Sequence, residues 1–163
     1  MKYFWLPISL FWVMHTAGQD FHVPAGFDAD TVQNFRRYEP MVVEAAHWLM
    51  HHPPDTTTQR RNIVRFVVEW LEKTPTMTLV LDPELLSFYA CSDCLIIYMA
   101  MYAKHAIQNP DEDVAEHNIA AIRAVLDYYR TYKKFLTKSN KGIKFYLRLE
   151  KKGKLEEYVR NHS

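Results

Sequence analysis

Along most of this chain apolar residues return every three or four positions, the spacing that lays one stripe along a helix. The first exception is at the start, where residues 3–14 are apolar apart from Ser9 and show no period. Residues 19–26 read as a loose lead-in. Val32 and Phe35 then face one way in a short helix expected near residues 30–38. Pro40 suits the first position of a second helix, which ends by Pro53-Pro54. Thr56-x-x-Gln59 has the form of a capping box and opens a helix to about Lys73, with Ile63, Phe66, Val67, Trp70 and Leu71 inward.

Residues 76–81 break the helical period. Thr-Met-Thr-Leu-Val-Leu alternates at first, so an extended connector laid against helices is expected. Asp82-Pro83-Glu84 combines an N-cap, a first-position proline and an early acid, predicting a short helix to about Ala90. The Cys91-Ser92-Asp93-Cys94 turn follows. Residues 94–108 are apolar nearly all round in their first half, which marks the central helix. Asn109-Pro110 ends it, and Asp111, Glu112 and Asp113 favour the positive end of a helix running to about Leu136. A basic helix then reaches Lys152 with Gly153 as its cap, and residues 155–160 add a last helical turn. The pattern predicts one all-α domain of six to seven helices packed around the helix at about 94–108.

The unperiodic start changes the picture of where the protein works. Met1-Lys2, the apolar run and the small residues Thr16-Ala17-Gly18 have the shape of a cleavable signal peptide over residues 1–18. A bilayer-spanning helix needs about 20 apolar residues, and this run is shorter. The mature chain is then residues 19–163, periplasmic or secreted. The longest later apolar run, residues 94–103, is ten residues, so no transmembrane span is expected in the mature chain. Hydrophobic residues at 48% and charged residues at 24% are a globular composition.

Net charge of +1 conceals an asymmetry. Residues 19–129 carry 8 basic and 16 acidic side chains, whereas residues 130–154 carry 10 basic side chains against Glu150 alone. The basic end includes Lys134, Lys138, Lys141, Lys144, Arg148 and Lys152, with Phe135, Phe145 and Tyr146 between the charges. Such a segment can hold anions, although most charge runs simply keep a helix soluble. Export removes nucleic acid from the partners considered, leaving another protein or an anionic envelope component.

Two further constellations carry candidate chemistry. Cys91-x-x-Cys94 at a helix start is the arrangement of thiol–disulfide exchange proteins, but the strand–helix alternation that normally presents it is missing. A structural disulfide is the favoured reading. Glu44, His47 and His51 lie at i, i+3 and i+7 on one helix face, a donor set suited to zinc or another divalent metal. His105 and His117 join it only if the fold brings them near. No Gly-rich phosphate loop, nucleophile elbow or His-Glu-x-x-His is present.

Four stretches together resemble a group of small secreted bacterial all-helical proteins with no assigned function. They are Glu44-Ala45-Ala46-x-Trp48-Leu49-Met50 followed by Pro54; Phe66-x-x-x-Trp70 running into Thr74-Pro75-Thr76; Ile97-Tyr98-Met99 with Tyr102-Ala103-Lys104; and Leu149-Glu150-Lys151-Lys152-Gly153-Lys154-Leu155. The resemblance covers most of the mature chain and implies fold and export alone, with no functional residue to carry over. The paired cysteines are not a feature of that group.

The sequence therefore points to an exported helical protein that binds or interacts without catalysis. No catalytic residue and no cofactor are assigned. The alternatives are a thiol–disulfide protein using Cys91 and Cys94, or a divalent-metal binder on the Glu44/His47/His51 face.

Overall fold

The computed structural model describes residues 21–24, 32–136 and 140–163, among which there are six helices and no strand. The signal peptide read over residues 1–18 and Lys138 of the basic segment lie outside the described residues. The all-α expectation holds, with the central helix where the apolar run placed it.

Helix α1, Val32–His51, is one continuous element where the proline suggested two. Phe35, Val42, Ala45, Ala46 and Leu49 form a single buried stripe that crosses Pro40. Their common face holds both halves of the helix against the core. Pro40 is exposed, as is Arg36 one turn earlier, so water can reach the carbonyl that a proline leaves unbonded. Ahead of α1, Phe21 is buried and packs on Phe66, which makes this residue of the lead-in part of the core.

Helix α2, Thr58–Lys73, starts one residue later than the capping-box reading. Asp55 accepts bonds from the backbone and hydroxyl of Thr57 at 3.1 and 2.8 Å, and the Thr57 hydroxyl in turn caps Arg60 N. Ile63, Phe66, Val67 and Trp70 are buried as the period required. The Trp70 indole donates to the Phe35 carbonyl at 3.3 Å, fastening α2 to α1.

Residues 76–82 are an extended connector, in which Met77 and Leu79 pack against the core. The helix expected over residues 83–90 is instead a succession of turns. Leu85 O accepts the Tyr146 hydroxyl, and Phe88 O accepts Asn140 Nδ2 and Cys91 N. The segment combines its own turn bonds, Leu86 N to Asp82 O, Tyr89 N to Leu86 O and Cys91 N to Phe88 O, with anchoring bonds from Asn140 and Tyr146 at helix α5.

Helices α3, Ser92–Gln108, and α4, Val114–Tyr132, form an antiparallel hairpin with the largest interface in the fold, and α1 covers another side of α3. Tyr98 donates to Asn118 Oδ1 across the pair at 2.6 Å. Helix α4 ends at Tyr132, about one turn short of the expected Leu136. Helix α5, Lys141–Lys151, closes at Gly153, whose φ of 65° lets Lys154 N reach Leu149 O and Gly153 N reach Glu150 O. That is the paired-bond helix end for which glycine is favoured. Helix α6, Leu155–Arg160, then folds back on α4, where Arg123 and Arg160 pair with Glu156 and Glu116.

A buried charge sits at the junction of α2, α3 and α4. Arg60 is 2% exposed and meets Asp93 at 3.0 Å and the Tyr128 hydroxyl at 3.3 Å. Tyr128 donates onward to the His52 carbonyl, so the cluster also ties in the end of α1. Asp93 is partly exposed, which moderates the desolvation of the pair.

Two outcomes test this packing. A Cβ on Gly142 would stand 2.2 Å from the Ser87 carbonyl oxygen and 2.6 Å from Phe88 N, both backbone atoms. Gly142→Ala is expected to destabilise the fold by about 2 kcal/mol or more, read as a lower urea midpoint. Burial pushes the Tyr128 hydroxyl up to about 12, and it raises Tyr146 further. A folded pKa above the unfolded value of about 10 favours the fold fully below that pH. Stability should hold to about pH 10 and fall as pH climbs toward 12, with a shallower fall in Tyr128→Phe.

Candidate functional site

Among the described residues, the turn between α3 and α4 gathers a close group of ligating side chains. Asn109 caps α3 at its C-terminus, its own side chain donating to the His105 carbonyl at 3.0 Å. Four residues later Asp113 caps α4, accepting from Glu116 N at 2.9 Å. Of the acidic run Asp111-Glu112-Asp113, placed at the positive end of this helix by the charge pattern, Asp113 is the N-cap. Glu112 does something else: its carboxylate lies 3.7 Å from His105 Nε2.

His105 and His117 are each six residues from Asp111, so an antiparallel hairpin turning there brings them face to face. Their Nδ1 atoms are 3.1 Å apart and their rings lie edge to face. His117 is buried, and burial together with the neighbouring His105 holds its pKa below the ordinary histidine value. Among the described residues, His105, Glu112 and His117 are the one group of three such side chains whose ligand atoms all lie within 4.8 Å of one another. The sequence signal was the equal spacing about Asp111, legible once a hairpin is assumed.

Beside this group runs a cleft of about 500 Å³ between α1, the connector and the hairpin. Arg36 and Glu39 of α1 face it from one side; Tyr102, Ile107 and His117 face it from the other, with Met77 of the connector below. The Tyr102 hydroxyl donates to Thr78 O at 3.2 Å, and burial raises its pKa. Thr76 and Thr74 share a hydroxyl–hydroxyl bond of 2.8 Å. The Tyr102 and Thr76 hydroxyls are thus engaged in holding the connector.

The residues singled out from sequence fall elsewhere. Cys91 and Cys94 form a disulfide, and both are buried. Cys91 is the N-cap of α3, with Cys94 N donating to its sulfur at 3.3 Å. Glu44, His47 and His51 are exposed on α1. The His47 and His51 rings stand 4.1 Å apart, while His51 Nδ1 bonds the His47 carbonyl at 2.8 Å. Partial burial, then the neighbouring His51 and Lys104, lower the His47 pKa. His52 stacks on Trp48 at 3.8 Å.

Lys134, Lys141, Lys144, Arg148 and Lys152 are exposed. Lys141, Lys144 and Arg148 of α5 line an open hollow with Leu147. Arg130, at the start of the basic segment, pairs with Asp127 and Glu150.

The bridge spans three residues, and closing so small a ring stabilises by about 2 kcal/mol in the chain-entropy account. The Cys91→Ser/Cys94→Ser double variant should keep the helical circular dichroism of the parent and lose about that much stability. Compared with known proteins, the chain matches no protein family, no curated protein and no solved structure.

Proposed function

We propose that this chain is an exported, non-catalytic binding protein that takes an extended segment of a partner polypeptide along its 76–81 connector. The observation that carries the reading is the connector itself. Among the described residues, the backbone N–H groups of Met77, Thr78, Leu79, Val80 and Leu81 make no hydrogen bond. Met77 and Leu79 turn inward, whereas Thr78, Val80 and Leu81 are exposed, Val80 to 66%. An extended backbone with open donors and alternate side chains outward is what a second extended segment pairs with. The cleft along its flank adds one cation and one anion, Arg36 and Glu39, for polar groups of the same partner.

Export is supported by the signal-like first eighteen residues and by a disulfide, a bond that persists in oxidising compartments. Burial of both cysteines favours a structural bridge over thiol exchange, since reactive thiols are partly exposed.

Val80→Pro removes one of the open donors at an exposed position and should leave the melting temperature close to that of the parent. Binding of the full chain to an array of immobilised random peptides is expected, and this variant should weaken it by about tenfold. An array that captures nothing, or capture indifferent to Val80→Pro, would sink the reading.

A further inference from the structure

We infer that His105, Glu112 and His117 form a binding site for one divalent cation of the zinc class at the turn between α3 and α4. This goes beyond the peptide-binding reading and does not rest on it. The argument begins with the two imidazoles. Nitrogen atoms 3.1 Å apart are too close for two lone pairs to face each other unopposed, so the pair holds either a shared proton or a shared cation. Zinc–nitrogen bonds of 2.0–2.1 Å at the tetrahedral angle set two ligand nitrogens about 3.3 Å apart. The spacing of the His105 and His117 Nδ1 atoms is already close to that edge.

The third donor is at hand. Glu112 stands on the Nε2 side of His105 at 3.7 Å, with 44% of its side chain exposed. One ligand atom from each of the three side chains already lies within 4.8 Å of the others, so a movement of this exposed carboxylate would bring the donors to one ion. Two histidines and one glutamate are a zinc donor set that leaves a fourth position for water or an outside ligand. The three come from the last turn of α3, the connecting loop and the first turn of α4, so helix packing fixes the two histidines while the carboxylate stays adjustable.

The surroundings suit a cation as well. Asp113 and Glu116 act on His117 from the first turn of α4, and Arg160 is paired with Glu116. His117 is 7% exposed and meets the edge of Tyr102 with ring centroids 5.5 Å apart, so its ring is held before any ion arrives. The exposed Glu44/His47/His51 face is the competing location on the same protein, and the test separates the two.

The experiment is titration of zinc ion alone into the full chain, produced without a histidine tag and stripped with a chelator, followed by calorimetry. One equivalent is expected to bind with micromolar or tighter affinity. His105→Gln, at a half-exposed position, should weaken binding by about tenfold or more, and Glu112→Gln by several-fold. The His47→Gln/His51→Gln double variant should bind as the parent does. Thermal melts with and without zinc give a second reading: the parent melts higher with zinc, and His105→Gln loses that increment. Absence of saturable one-to-one binding would overturn the inference. So would affinity that survives both His105→Gln and Glu112→Gln, or affinity lost in the His47/His51 variant. Because neither His105 nor Glu112 is buried, their variants keep the test decisive even if His117→Gln fails to fold.

Discussion

Helix α3 carries Leu, Ile, Ile, Tyr, Met, Ala and Met in succession after Cys94, and a helix apolar nearly all round must be covered on most of its sides. Ile97, Tyr98 and Ala100 are buried, while Leu95, Ile96, Met99 and Met101 are partly buried against the core. The remaining elements are arranged by that requirement. Helix α4 covers one face, α1 another and α2 a third, with the turns over residues 83–90 and helix α5 beyond them. Ala100, Ala103 and Ala106 are buried where neighbouring helices approach, and Tyr98 fills the space between them. Its hydroxyl, buried with the ring, is satisfied by Asn118 and through it by the hydroxyl of Ser163. A buried hydroxyl without such a partner would cost more than its bond contributes.

Several polar groups inside this core join elements that are distant in sequence. Arg60 and Asp93 connect α2 to the start of α3, Tyr128 connects both to the end of α1, and Trp70 reaches the backbone of α1. Apolar contacts of roughly the right size tolerate several registers, whereas each of these bonds is made in only one. The polar bonds therefore supply the selectivity among packings that the apolar surface supplies poorly.

How far the sequence disclosed this depended on the range of the interaction. The stripe Ile63, Phe66, Val67 and Trp70, the Gly153 helix end and the apolar α3 depend on residues within a turn or two, and they were legible. Pro40 misled because a local preference for a helix start was outweighed by a stripe continuing on both sides of it. The segment over residues 83–90 is turns and not the expected helix, and two of its carbonyls are anchored by Asn140 and Tyr146, more than fifty residues later, which a local reading does not see. The candidate site divides in the same way. Histidines one turn apart on α1 are visible to a periodicity argument; His105 and His117, three turns apart in sequence and touching in space, become visible only when the hairpin is folded.

The Cys91–Cys94 bridge has a consequence for how the fold is specified. A covalent link between distant segments rejects every topology that separates them. This one encircles a single turn at the start of α3 and is compatible with any arrangement of the other helices. It cannot tell one fold from another. The choice of topology accordingly rests on noncovalent terms alone, and a chain with two free thiols carries the same instructions as the bridged one. What the bridge contributes is local: it holds closed the first turn of the most apolar helix, and so adds stability without adding information about where the other helices go.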